Sequence, residues 1–141
     1  MSFGHGLIGP RKEPKSGTAS SLVVMPHGYG ASGARWLAQT ETWVVALPDT
    51  AFVAPNAPTP LPDSTDSCMW RPVPAPPGAA GLASVRASAE QLDAFIDAEL
   101  DHYRLDADRM VIVGFSQGAM MAMHVALSAG ATGESARTPA S

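Results

Sequence analysis

Apolar positions along the chain fall into short runs separated by glycine and proline, and into two longer helical stripes. Residues 21–26, "SLVVMP", form an apolar, β-branched run that stops at Pro26 and opens into "HGYGASG", which predicts a strand followed by a glycine-rich loop. Over 34–47, Trp36, Leu37, Trp43, Val44 and Leu47 recur with helical spacing until Pro48, which predicts a helix. "TAFVAP" (50–55) reads as a second buried strand ended by Pro55. Residues 55–81 carry eight prolines and no period, which predicts a long surface loop, with Trp70 a conspicuous apolar residue within it. Over 82–103 a stripe of Val85, Ala89, Leu92, Phe95, Ile96, Leu100 and Tyr103 faces away from Glu90, Asp93, Asp97 and Asp101, so this segment is a long amphipathic helix. "LDADR" is a turn, "MVIVG" (110–114) a third buried strand, and 117–129 a helix carrying Met120, Met121, Val125 and Leu127. A short strand is expected near Leu7 and Ile8.

Strands that are apolar on both faces and alternate with helices build a parallel sheet covered on both sides, so the expected class is α/β. The organisation reads as an edge segment or tail over 1–20, a body over 21–129, and a disordered tail over 130–141, whose "GATGESARTPAS" has no periodicity and little to bury. With 141 residues and 45% hydrophobic content the chain is one domain's worth and holds a core.

Charge narrows the function classes. A net charge of −4 and a pI near 5.4, with no basic stripe, exclude a footprint for nucleic acid. The N-terminal residues lack the apolar segment of a secretory signal, and no window has the roughly 18 apolar residues of a membrane span, so a cytoplasmic protein is expected. Cys68 is the single cysteine, which rules out a disulfide within the chain and a CxxC metal cluster. His27 has no second metal ligand at a usable spacing.

Candidate chemistry centres on "VIVGFSQGAMM" (111–121), which sets Ser116 between a buried strand and a helix, with a glycine two residues to either side. A nucleophile elbow needs that placement. The serine sits in a strained turn, and strand and helix approach too closely for a Cβ at Gly114 or Gly118. The helix opening at Gln117 turns unpaired N–H groups toward the serine, and a glycine-rich loop such as "HGYG" brings another amide to the same point. The amides of Tyr29 and Gln117 are the candidate oxyanion donors, and the implied chemistry is acyl transfer. The methionines at 120, 121 and 123 read as core packing, and the acids from Glu90 to Asp101 as a solvated helix face.

"LVVMPHGYGASG", "LPDTAFVAPNAP", "LDAFIDAELDHYRLDADR" and "VIVGFSQGAMMAMHVAL" together resemble the phospholipase/carboxylesterase group of α/β-hydrolases, which includes acyl-protein thioesterases and small bacterial carboxylesterases. The resemblance covers most of residues 6–127. It implies a parallel-sheet α/β-hydrolase fold and hydrolysis of carboxylic esters or thioesters, including lysophospholipids, without metal or organic cofactor. It also implies Ser116 as nucleophile and Tyr29 and Gln117 as oxyanion amides. His27 would steady a loop shaped by Gly28 and Gly30, and Gly114 and Gly118 would flank the elbow. The loop around Trp70 would resemble an acyl-channel wall, although from the residues alone Trp70 is equally a pin for a proline-rich loop.

In this fold the triad runs Ser, then Asp or Glu, then His along the chain. Here Glu134 is the sole acid after Ser116 and His124 the sole histidine, in the wrong order, and His124 lies about 12 Å along the elbow helix by helical rise. His5, His27 and His102 all precede the serine. The chain therefore reads as the N-terminal portion of a hydrolase, truncated after the elbow helix. An exposed sheet edge is expected, and the acid and base come from outside these 141 residues. The substrate partner is a small acyl ester or thioester; the alternative is a non-catalytic hydrolase-like module that binds an acyl ligand or a protein.

Overall fold

Strands at 21–24, 50–53 and 110–112 form where the short apolar runs lie, and three two-residue strands accompany them. The computed structural model describes residues 6–131, with strands at Arg11–Lys12 (β1), Ser21–Val24 (β2), Thr50–Val53 (β3), Thr59–Pro60 (β4), Cys68–Met69 (β5) and Met110–Ile112 (β6). The helices are Gly33–Leu37 (α1), Glu41–Ala46 (α2), Gly78–Tyr103 (α3) and Gln117–Ala131 (α4). The main sheet has the order β1-β3-β2-β6; β2 lies parallel to both β3 and β6, and β1 joins β3 antiparallel. The expected strand at Leu7 and Ile8 is displaced to Arg11–Lys12, although Ile8 and Pro10 still accept bonds from the Asn56 and Ala54 amides. Of the segment 130–141 read as a tail, Gly130 and Ala131 instead continue the helix of α4, and the rest lies outside the described residues, as do His5 and Glu134.

Register decides which side chains share a face. Val23 pairs with Phe52 and Val111, so one face of the sheet carries Val23, Met25, Phe52 and Ala54 against Leu37 of α1. On the other face Leu22, Val24, Ala51 and Val53 pack with Leu92, Phe95, Ile96 and Leu100 of α3 and with Met121 and Val125 of α4. The α3 stripe read from the sequence is thus the stripe that is buried. Truncating a residue such as Leu92 or Ile96 to alanine costs about 2–5 kcal/mol by lost transfer energy and cavity formation.

Three expectations are corrected. The helix over 34–47 is broken into α1, a 3₁₀ turn at Ala38–Thr40 and α2, because buried Thr40 donates its hydroxyl to the Leu37 carbonyl at 2.7 Å and accepts from Lys12 Nζ at 3.1 Å. A β-branched hydroxyl that bonds back to the preceding turn bends the helical ladder. The segment 55–81 is not structureless: β4 and β5 form an antiparallel ribbon within it, and α3 begins at Gly78 rather than Leu82. β6 is only half buried, with Val111 58% exposed, because among the described residues no strand lies on its outer side.

α4 is apolar on more than one side. Met121 and Val125 face the core, whereas Met120, Met123 and Leu127 form a second stripe open to solvent. No described helix is long and apolar enough to cross a membrane.

One buried charge ties β1 to α3. Arg11 Nη2 donates to Glu99 Oε1 at 2.7 Å, while Glu99 Oε2 is buried without a partner. Burial pushes the Glu99 carboxyl pKa up, and the Arg11 guanidinium opposes the rise. Removing Arg11 leaves an uncompensated carboxylate, so Arg11→Ala destabilises by about 1–3 kcal/mol, moderated because the guanidinium is partly solvated. A carboxyl whose folded pKa is raised loses stability as pH rises toward and through that value, so the penalty is larger at pH 7.5 than at pH 5. Urea denaturation of both proteins at the two pH values measures it.

Candidate functional site

Ser116 sits at the turn from β6 into α4 with φ +54°, left-handed backbone that a non-glycine residue holds only under constraint, at roughly 1–3 kcal/mol. The constraint is the packing of the flanking backbone. A Cβ at Gly118 would overlap the Pro26 carbonyl oxygen and come within 2.6 Å of the His27 oxygen; one at Gly114 would lie 2.5 Å from the Gly118 oxygen. The first turn of α4 therefore crosses directly over the end of β2, as the spacing of the elbow predicts. Phe115 N–H donates to the Pro26 carbonyl at 3.4 Å and Gly118 N–H to the Phe115 carbonyl at 2.9 Å, closing the turn.

The same crossing brings the "HGYG" loop to the serine. A side chain at Gly28 would press on the Phe115 ring at 3.2 Å and on Ser116 Cβ at 3.5 Å, and Gly30 reverses the loop at φ +73°. Gly30 N–H donates to the Cys68 carbonyl and Cys68 N–H to the Ala31 carbonyl, each at 2.9 Å, so the short β4–β5 ribbon holds the loop from outside. Arg35 clamps the same region, its Nη2 reaching the Gly30 carbonyl at 3.1 Å, the Asp66 carbonyl at 3.3 Å and Ser67 Oγ at 2.8 Å. Among the described residues, neither the Tyr29 nor the Gln117 N–H donates to a protein acceptor, and Ser116 Oγ has no hydrogen-bond partner.

His27, Gly28, Tyr29 and Ser116 line one cavity of about 320 Å³ with Ala31, Arg35, Trp36, Gln39 and Phe115. Its apolar wall is the Trp36–Phe115 pair, ring centroids 6.0 Å apart, with Trp36 Nε1 fixed on the Val113 carbonyl at 3.1 Å. Sequence reading missed Arg35, Trp36, Gln39 and Phe115 as lining residues. The available signal was position: the first turns after the glycine-rich loop and the residue preceding the serine border any ligand held there. Trp70, compared with a channel wall, does not line this cavity. It is 1% exposed and its Nε1 donates to the His27 carbonyl at 2.8 Å, so the ring is pinned under the site by burial and by that bond.

His27 is fully occupied. Its Nε2 accepts the Ala57 N–H at 2.9 Å, so the proton resides on Nδ1, which donates to the Gly28 carbonyl at 2.7 Å. Burial lowers the imidazole pKa, the Gly28 carbonyl opposes this, and the Arg35 charge adds to the lowering. A ring with both nitrogens engaged does not serve Ser116 as a base. His124 lies two turns along α4, and His102 stacks edge-on against Tyr103 at the end of α3.

A histidine held neutral by the fold takes up its proton in the unfolded chain first, as pH falls below the ordinary imidazole value near 6.5. Stability is therefore full above that pH and is lost below it. Thermal midpoints measured from pH 7.5 to 5.5 fall for the wild type, and fall less steeply for His27→Gln, which keeps a side-chain carbonyl to accept from Ala57 but cannot titrate.

Comparison with known proteins agrees with this geometry. The profile of the phospholipase/carboxylesterase family matches residues 10–134. Acyl-protein thioesterase 1 of Schizosaccharomyces pombe is 32% identical over 117 residues, 77% of this chain and 50% of that protein. Acyl-protein thioesterase 1 of Neurospora crassa is 30% identical over 133 residues, 85% and 54% of the two chains. Among solved structures, esterase PE8 superposes with a TM-score of 0.76 at 38% identity, covering 85% of this chain and 57% of that one. Acyl-protein thioesterase 2 of Zea mays gives 0.62 at 26% identity, covering 86% and 51%. The chain thus spans about half the length of the curated relatives it matches. On the family profile and the shared fold together, this chain belongs to the phospholipase/carboxylesterase family of α/β-hydrolases.

Proposed function

We propose that Ser116 is the nucleophile of a carboxylic ester or thioester hydrolase, with the Tyr29 and Gln117 amides as its oxyanion donors. The observation that carries this reading is the left-handed Ser116 itself, exposed at the mouth of the cavity and held there by two backbone crossings that admit only glycine at positions 114 and 118. A fold keeps such strain where a side chain must be presented. In the reaction the Ser116 oxygen attacks the acyl carbon as its proton leaves to a base, and the tetrahedral oxyanion is held by the two amides. Collapse expels the alcohol or thiol, which takes up the proton, and water then releases the acid and restores the serine. The Trp36–Phe115 wall suits an apolar group of the substrate, and the Arg35 and Gln39 side supplies polar contact.

The base and its acid are assigned to polypeptide outside the described residues, corresponding to the half of the relatives that this chain does not span. A second reading, a hydrolase-like module that binds an acyl ligand without turning it over, is favoured by one observation: Ser116 Oγ has no base against it among the described residues. An alkyl fluorophosphonate separates the two, since Ser116 Oγ bonds to phosphorus as fluoride leaves. Intact mass of the folded protein gains one phosphonyl group in the hydrolase reading and none in Ser116→Ala; no gain in a folded wild type leaves the binding module. Without an activated base, the rate constant lies roughly 10⁴–10⁶-fold below that of a complete serine hydrolase, leaving about 10³–10⁴-fold over water from oxyanion stabilisation and binding.

A further inference from the structure

Three buried side chains whose chemistry the proposed reaction leaves unused form one hydrogen-bonded chain beneath the site. Gln117 is 5% exposed and its carboxamide is bound by the loop at residues 70–71. Oε1 accepts the Trp70 N–H at 3.0 Å and the Arg71 N–H at 3.3 Å, and Nε2 donates to the Arg71 carbonyl at 3.1 Å. The Trp70 carbonyl in turn accepts Ser88 Oγ of α3 at 2.5 Å, which anchors the loop to the long helix. The indole Nε1 then reaches the His27 carbonyl at 2.8 Å, and the two rings lie 5.8 Å apart. From His27 the chain continues through Nδ1–H to the Gly28 carbonyl, with the Ala31 N–H also donating to that oxygen at 3.2 Å.

The last link carries the consequence. The Gly28 carbonyl and the Tyr29 N–H are opposite ends of one planar trans peptide unit, so fixing where the oxygen points fixes where the N–H points. The preceding peptide is held as well, because its His27 carbonyl accepts a hydrogen bond from the indole N–H. The Tyr29 amide is therefore aimed by His27 and Trp70, and the Gln117 side chain that grips Trp70 belongs to the residue whose own backbone N–H is the second donor.

We infer that the two oxyanion donors are set as one unit by the Gln117–Trp70–His27 chain, which makes Trp70 and the Gln117 carboxamide positioning residues. This inference rests on the oxyanion assignment proposed above. Buried hydrogen bonds of this kind strengthen one another in a low-dielectric setting, and a donor aimed in advance needs no reorganisation when the oxyanion forms.

Trp70→Phe keeps an aromatic ring in the core and deletes the indole N–H. In ¹⁵N-labelled full-length chain, this variant is expected to move the Tyr29 amide resonance, although residue 70 is 41 positions away in sequence. With the fluorophosphonate, the maximal labelling rate is expected to fall about tenfold while the half-saturating concentration holds, short of the 10²–10³ lost when a donor is removed outright. Combining Trp70→Phe with Gln117→Leu is expected to cost little more than the worse single change, because both break one chain. A core role alone would lower the thermal midpoint and leave the Tyr29 amide and the labelling rate of the folded fraction in place. An unmoved Tyr29 amide, or a moved amide with an unchanged rate, overturns the proposal. A wild type that never labels sinks the hydrolase reading instead, and the amide shift then decides this inference by itself. Should Trp70→Phe fail to fold, the wild-type His27 ring decides: its ¹⁵N shifts at pH 7.5 must show a proton on Nδ1 alone, and a proton on Nε2 overturns the chain.

Discussion

Gly118 has no room for a Cβ because the Pro26 carbonyl oxygen occupies that place, and the geometry of the site follows from this contact. The contact sets the height at which α4 leaves the sheet, and with it the left-handed turn at Ser116. It also sets how closely "HGYG", which continues directly from Pro26, approaches that turn. Backbone against backbone leaves no side chain to adjust, so the elbow is stiff in a way that side-chain packing does not achieve. Strand β2, whose continuation carries the opposing oxygen, is a central strand of the described sheet, with Leu22 and Val24 fully buried and a parallel neighbour on each side, and that firm support makes strain at one serine tolerable.

Around this crossing the polar groups close on one another. Turning a chain so sharply at the end of a buried strand leaves carbonyls and amides with no ladder partner, and each one left unpaired in the interior costs about 1–3 kcal/mol. His27, Trp70 and Gln117 meet that demand together: one side-chain atom or another of the three bonds the Gly28, His27 and Arg71 carbonyls and the Ala57, Trp70 and Arg71 amides. The proline-rich segment 55–81 is therefore not a passive connection. Its middle is bound to His27 and Gln117 by the same atoms that stabilise the fold.

Local pattern was legible in the sequence wherever a single stretch carries its own explanation. The α/β alternation, the α3 stripe and the elbow at Ser116 are properties of ten to twenty consecutive residues, and the sheet order and the Gly114 and Gly118 contacts agree with them. What was not legible depends on partners far along the chain. Thr40 breaks the helix over 34–47 through bonds that include one from Lys12, 28 residues away. Glu99 falls within the apolar stripe of α3, three residues after Ile96, but the partner that offsets its buried charge, Arg11, lies 88 residues earlier. Trp70 had two readings from its loop, and only the His27 carbonyl 43 residues back and the Gln117 carboxamide 47 residues on distinguish them.

The division of labour within the site follows from the same topology. The groups hydrogen-bonded around the Tyr29 and Gln117 amides come from the end of β2, the loop after it, the 70–71 loop anchored by Ser88 of α3, and the first turn of α4. On the proposed hydrolase reading, the base for Ser116 comes from polypeptide other than these elements, so acid–base chemistry and oxyanion stabilisation would be built by separate parts of the protein. The surface of β6 and α4 fits this division. Val111 on one face and Met120, Met123 and Leu127 on the other remain apolar and exposed where the described sheet ends, although a helix apolar on two sides is one that packs on two sides. The hydrogen-bonded supports around the Tyr29 and Gln117 amides thus lie among the described residues, while the apolar flank of β6 and α4 is open. On the hydrolase reading, that separation would let the contribution of preorganised amides be measured apart from that of the base.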